Sequence, residues 1–277
     1  MLAGLPVLER RPVVEGTATT LLEGGEGPPL VLLHGGIECG GAYWAPVIPA
    51  LAGRQRLVVP DLPGLGESDP IARLDFAALV NWLAGLVRAT CAEPPVLVAH
   101  SLMGSLAARF AARHGDLLDR LVIYGAPGIG TYRIPLGLRV VALRFALNPS
   151  ERNGERFERW AFFDLEHVRG RDPGWFEAFG AYLRARARIR HVKRTMAWLI
   201  SSCTKRIADH ELRRIQVRTA LVWGRHDRFV PLAVGEGAST RLGWPLQVIE
   251  DCGHAPHIEC PEDFLRAVAA EPAESRR

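Results

Sequence analysis

The sequence predicts an α/β fold: a mostly parallel sheet flanked by helices, with an inserted helical segment. Three observations carry this reading. Short, continuously apolar runs alternate with amphipathic ones, as expected of strands buried on both faces between crossover helices. The alternation stops at residues 131–206, which show no strand pattern. It then resumes and runs to residue 270. The core is therefore assigned to residues 1–130 and 207–277, and the insertion, as a helical cap or lid, to 131–206.

The elements follow in order. Residues 13–22 and 30–34 are β-like, and the Gly-Gly-Glu-Gly-Pro-Pro stretch between them supplies the turn. Residues 42–51 suit a helix, 56–60 an apolar strand and 75–91 an amphipathic helix. Strand 96–99 runs directly into an alanine-rich helix at 102–114, and strand 121–124 ends at Gly125. Beyond the insertion come strand 219–223, helix 232–242, strand 246–249 and helix 261–270. Pro261 suits a helix start because its φ is fixed and its missing N–H would find no partner there.

Composition narrows the function classes. The chain has 277 residues, 48% of them apolar, enough for one large core with an insertion. The longest apolar stretch, 136–147, is cut by Arg139 and Arg144, so no membrane span is expected. The first 13 residues lack the basic-then-apolar order of a signal peptide. Five cysteines, at 39, 91, 203, 252 and 260, are odd in number and lack metal-ligand spacing. A reduced, cytoplasmic setting without metal or cofactor is the expectation. Residues 131–206 carry 16 Lys and Arg against 7 Asp and Glu, whereas the rest of the chain is net acidic. That asymmetry bears on partners. The sequence leaves the oligomeric state open.

The chemistry starts at Ser101. It sits where an apolar strand meets a helix, a sharp turn that pushes a hydroxyl out of the sheet beside the helix N-terminal N–H groups. A serine needs a base, and the base needs an orienting acid. The candidate base is His254, just past the last strand; the candidate acid is Asp227, just past the strand before it. All three lie at carboxyl ends of strands, where an open α/β sheet builds its site. Taken singly, each has a plainer reading: a helix cap, a turn aspartate, a structural histidine. Ser105 is an alternative nucleophile, His257 a rival base, and Asp251 a nearby loop acid. Oxyanion donors are expected from the backbone N–H groups of Leu102 and of Gly36, in the glycine-rich turn after strand 30–34. No Gly-Lys-Ser/Thr and no Gly-x-Gly-x-x-Gly opens a helix, so no nucleotide site and no nucleic-acid partner are expected.

These motifs together resemble the α/β-hydrolase superfamily over nearly the whole chain. They are His34-Gly-Gly36, Asp61-Leu-Pro-Gly-Leu-Gly-Glu-Ser68, the turn at Ser101, Gly224-Arg-His-Asp227 and Gly253-His254. The stretch from Trp223 to Pro231, with Asp251-Cys-Gly-His254, is similar to the meta-cleavage-product hydrolases, which split C–C bonds in dienoate acids. Members of that subgroup tend to have Asn before the serine; here it is His100. The resemblance implies a serine hydrolase acting on a small-molecule ester or acid. Ester cleavage through an acyl-enzyme is the leading expectation, C–C hydrolysis the second, and a catalytically silent binding protein on the same fold the third. The family turn is Gly-x-Ser-x-Gly, but here Met103 holds the second glycine's place and Gly104 comes one position late. Substrate-binding candidates are Gly35, His100 and Met103 near the turn. For Arg186 and Arg190 of the basic insertion two readings stand: solvated side chains that keep the helix soluble, or guanidiniums that pair with a substrate carboxylate.

Overall fold

In a computed structural model, residues 2–36, 38 and 40–270 are described. Ten strands are present among them: β1 (Leu8–Arg10), β2 (Val13–Val14), β3 (Thr17–Ala18), β4 (Leu21–Gly24), β5 (Pro29–Leu33), β6 (Arg56–Pro60), β7 (Val96–His100), β8 (Arg120–Tyr124), β9 (Arg218–Gly224) and β10 (Leu246–Ile249). Eight form one sheet in the order β1-β4-β6-β5-β7-β8-β9-β10, and β2 and β3 form a separate ribbon. The pairs β1–β4 and β4–β6 are antiparallel, and every other pair in the sheet is parallel.

The apolar residues of the parallel strands divide by alternation, as the two-residue period of a strand requires. Val31, Leu33, Leu97, Ala99, Leu121, Ile123 and Trp223 face one core, with α3 (Phe76–Thr90), α4 (Ser101–His114) and α11 (Leu232–Leu242). Leu30, Leu32, Val96, Val98, Val122, Tyr124 and Val222 face the other. That side is covered by α1 (Gly40–Trp44), α2 (Ile48–Ala52) and α13 (Pro261–Ala269). The expected helix at 42–51 is thus two short helices; Pro46 between them cannot supply a helical N–H. Asp75 caps α3 by accepting from the Ala78 N–H at 2.8 Å.

Between β8 and β9 the chain holds α5 (Leu136–Leu147), α6 (Glu151–Ala161), α7 (Leu165–Arg171), α8 (Pro173–Arg186) and α9 (Arg190–Cys203), then α10 (Asp209–Leu212). A last short helix, α12 (Pro256–Glu259), precedes α13. No strand falls within 131–206. The insertion touches the loops at the strands' carboxyl ends. The Ala161 carbonyl accepts from the His254 N–H at 2.7 Å. Tyr182 and Arg186 reach Glu67 at 3.0 and 3.1 Å, and Arg186 also bonds the Gly66 carbonyl.

The sheet order puts β5 beside β7, with the chain leaving β5 toward β6 on one side and returning to β7 on the other. That reversal opens a crevice at the carboxyl ends of these two strands. The glycine turn after β5 and the serine after β7 stand on either side of it.

Candidate active site

Ser101 is the first residue of α4 and has φ +51°, a backbone conformation that non-glycine residues rarely adopt. The strain is held by β7 below and α4 above, and it lifts the side chain out of the sheet. The first N–H groups of α4 have no acceptor inside the helix, so that of Leu102 is open to a ligand oxygen.

Ser101 Oγ lies 3.0 Å from His254 Nε2, and His254 Nδ1 lies 2.7 Å from Asp227 Oδ2. The proton positions follow from the partners. A carboxylate only accepts, so Nδ1 carries the proton; the neutral ring then leaves Nε2 to accept from the Ser101 hydroxyl. Asp227 is fixed in turn, because its Oδ1 accepts from the Phe229 and Val230 N–H groups, both at 2.8 Å. Gly125 ends β8 at φ +57°, and a Cβ there would lie 3.0 Å from His254 Cε1. Only glycine provides both the conformation and the space for the imidazole.

The alternatives are placed elsewhere. Ser105 is fully buried; its hydroxyl donates to the Cys203 carbonyl at 2.8 Å and accepts from the Gly128 N–H at 3.1 Å. His257 is buried beneath the site, 3.2 Å from the Tyr124 hydroxyl, and burial pulls its pKa down to about 3. Asp251 is exposed.

His100 lies under the triad. Its Nε2 donates to the His254 carbonyl at 2.8 Å, so its Nδ1 accepts from the Tyr43 hydroxyl at 2.7 Å. The ring stacks on Tyr124 with centroids 4.3 Å apart. Burial, with His254 and His257 nearby, holds its pKa well below the ordinary imidazole value. Gly35 lets this ring approach, since a Cβ there would collide with His100 Nδ1. Met103 is fully buried in the core cluster beneath α4 and does not reach the crevice. Gly104 makes the close approach to β8: a Cβ there would lie 2.5 Å from that of Ala126 and 2.8 Å from Ile123 Cγ2. The late glycine thus serves the packing for which a small residue is needed. Arg186 is engaged by Glu67 and Gly66, and Arg190 is exposed at the first turn of α9.

Besides Tyr43, three participants escaped sequence reasoning. Glu38 is in the turn after β5, and its Oε2 is closed off from solvent without a hydrogen-bond partner among the described residues. A Cβ on Gly36 would lie 3.3 Å from that oxygen and 3.3 Å from Met196 Cε of α9. Burial raises the Glu38 pKa, partly opposed by local backbone hydrogen bonds and by His254. Phe229 packs on the imidazole of His254, with centroids 4.7 Å apart. Glu259 accepts from Gly253 N–H at 2.8 Å and from Phe163 N–H at 2.6 Å, joining the histidine loop to the insertion. Burial pushes its carboxyl up to about 7. The contacts with Met196, His254 and Phe163 join residues far apart in sequence, and no local motif announces them.

Residues 30–267 match the sequence model of the alpha/beta hydrolase family. The chain belongs to that family. Among its relatives is the 2-hydroxymuconate semialdehyde hydrolase of Pseudomonas sp. (strain CF600), 28% identical over 95% of this chain and 93% of the relative. The 2-hydroxy-6-oxo-2,4-heptadienoate hydrolase of Pseudomonas putida is 30% identical over 91% of this chain and 92% of its own. Among solved structures, the 2-hydroxy-6-oxo-6-phenylhexa-2,4-dienoate hydrolase from Rhodococcus sp. strain RHA1 superposes with TM-score 0.83 at 24% identity, covering 94% of this chain and 96% of that one. A carboxylesterase from Bacillus subtilis superposes with TM-score 0.80 at 22% identity, covering 96% and 92%. At these identities the two structures show the shared fold. No helix among the described residues is long and apolar enough to cross a membrane.

Proposed function

We propose that this hydrolase cleaves carboxylic esters through an acyl-enzyme, with Ser101 as nucleophile, His254 as base and then acid, and Asp227 as the orienting carboxylate. The observation that carries the proposal is the unbroken hydrogen-bond line Ser101–His254–Asp227, at 3.0 and 2.7 Å. In this scheme Ser101 Oγ attacks the ester carbonyl while His254 Nε2 takes the hydroxyl proton. The oxyanion is held by the N–H groups of Leu102 and Gly36. His254 then returns the proton to the leaving alkoxide, and water repeats the sequence on the acyl-enzyme. Helices α5–α9 act as the cap that shields the crevice from bulk water.

The surroundings of the line favour a neutral substrate. Arg186, a candidate partner for a substrate carboxylate, is bonded to Glu67 and Gly66, while the ionisable group standing over Gly36 is the carboxyl of Glu38. A second reading, C–C hydrolysis of a dienoate acid, is supported by the names of the Pseudomonas relatives. One set of experiments separates the readings. A fluorophosphonate should label Ser101 and no other serine, and neutral p-nitrophenyl esters should be turned over faster than a 2-hydroxy-6-oxo-dienoate. Faster dienoate turnover would establish the second reading. An unlabelled Ser101 with no turnover of either substrate would leave a binding protein.

A further inference from the structure

Helix α5 carries an apolar face that no other described residue covers. Leu136, Val140, Leu143 and Leu147 are 76%, 42%, 59% and 75% exposed. At about 100° per residue they fall within an arc of about 60°. Leu138 and Phe145, on the opposite side, are buried and attach the helix to the insertion. Arg139 and Arg144 are exposed, each about 70° from the centre of the stripe, one on either side. A solvent-facing helix ordinarily turns its polar residues outward. Here the outward face is leucine and valine with an arginine along each margin.

The charge pattern selects the occupant. Residues 131–150 contain Arg133, Arg139 and Arg144 and no Asp or Glu. A second copy laid stripe to stripe would bring arginine margins against each other with no carboxylate from α5 to offset them. A surface that is apolar within and anionic at its rim complements both the stripe and its margins. At 12 residues α5 is about 18 Å long, too short to cross a bilayer about 30 Å thick but suited to lying along its boundary.

We propose that α5 is an interfacial anchor whose Leu136, Val140, Leu143 and Leu147 enter an anionic lipid surface while Arg139 and Arg144 meet the headgroup phosphates. The anchor is three ring contacts from the triad. Phe145 stacks on Phe157 at 5.6 Å, Phe157 meets Phe229 edge-on at 5.1 Å, and Phe229 packs on His254 at 4.7 Å. Packed rings thus join the anchor to the wall of the triad, and a lipophilic ester dissolved in that surface is the substrate the site would draw on. That last step rests on the ester reading above; the docking itself does not.

The test is flotation of the full chain with unilamellar vesicles of phosphatidylcholine, with and without about 30% phosphatidylglycerol, at low and high salt. Light scattering without lipid reports the oligomeric state. The wild type should float with anionic vesicles at low salt and much less with pure phosphatidylcholine. Leu143→Ser with Leu147→Ser should lower the partition coefficient more than about tenfold. Arg139→Gln with Arg144→Gln should weaken binding to anionic vesicles and flatten its salt dependence. All three proteins should melt alike, because the replaced side chains are exposed. Three results would overturn the proposal: no flotation of the wild type, equal flotation of the leucine variant, or a lipid-free dimer that the leucine variant dissociates. None of these readouts depends on catalysis, so failure of the docking and failure of the ester reading are told apart.

Discussion

Replacing Met103 with glycine restores the small residue that the family turn carries at this position, and the structure predicts that the protein pays for it in stability. The Met103 side chain is fully buried in the core beneath α4, among the residues that pack against β7 and α3. Truncating a buried methionine to alanine costs about 2–5 kcal/mol, through lost burial and an incompletely collapsed cavity. Glycine inside a helix adds about 1 kcal/mol. The expected loss is therefore about 3–6 kcal/mol, a large part of the stability of an ordinary domain. At about 2–4 °C per kcal/mol for a chain of this size class, the melting temperature should drop by about 6–24 °C. Met103→Leu, which keeps the volume, should cost less than about 1.5 kcal/mol. The assay is a thermal scan of both variants beside hydrolysis of p-nitrophenyl esters of increasing acyl length. Chain-length preference should not change, because Met103 does not reach the crevice. A melting temperature within about 2 °C of wild type, together with an altered length preference, would refute the reasoning and place the side chain in the acyl pocket.

Three further outcomes are expected. Asp227→Asn should lower kcat about 10³–10⁴-fold, since its Oδ1 would keep the Phe229 and Val230 bonds and present an NH₂ to His254, forcing the wrong tautomer; near-wild-type turnover would exclude a histidine base oriented by this residue. His34 and His257 titrate near 3 because burial disfavours the imidazolium. Their stabilisation is complete above the ordinary value of about 6.5 and is lost as pH falls toward 3, at up to about 1.4 kcal/mol per pH unit for each ring. Asp61, raised by burial to about 6, has the opposite sign, so the comparison is between proteins: His257→Asn should show a shallower acid slope in melting temperature, and parallel curves would contradict it. Burial raises the Glu38 pKa, and its ionisation would set a negative charge beside Gly36, so the ratio of wild-type to Glu38→Gln kcat/KM should fall as pH rises through its titration; coincident profiles would remove Glu38 from the oxyanion's surroundings.

Much of this architecture could be read in advance, for a physical reason. The inner parallel strands are buried on both faces, so 56–60 and 121–124 stand out as apolar runs and match β6 and β8 to within one residue; 246–249 matches β10, a half-buried edge strand recognised by its place between two helices. β1 was invisible because its three residues are exposed at the sheet edge and carry no pattern. Ser101, Asp227 and His254 were legible because each follows a recognisable strand, and topology gathers strand ends. Glu38, Tyr43 and Glu259 were not, since each acts through a contact that only the folded chain creates. The glycine turn at the serine shows the limit most clearly. Counting positions made Met103 the anomaly, whereas the space that matters lies under Gly104, against Ala126 and Ile123. Arg186 likewise was assigned by the charge around it, and the structure gives it to Glu67 and Gly66.

Two of the insertion's attachments are unequal in kind. At α6 the tie is made of main-chain groups and a buried carboxylate: Ala161 to His254, and Glu259 to Gly253 and Phe163. At α8 it consists of the tips of Tyr182 and Arg186 on Glu67 and Gly66, where Glu67 is half in solvent. A bond to such a partially hydrated carboxylate is exchanged for water at little cost, whereas the buried set has no water to turn to. The Glu67 contacts are therefore the cheaper of the two to break. Their loss leaves His254 on Asp227 and on the Ala161 carbonyl, so the base stays aligned whichever way the Tyr182 and Arg186 side chains turn.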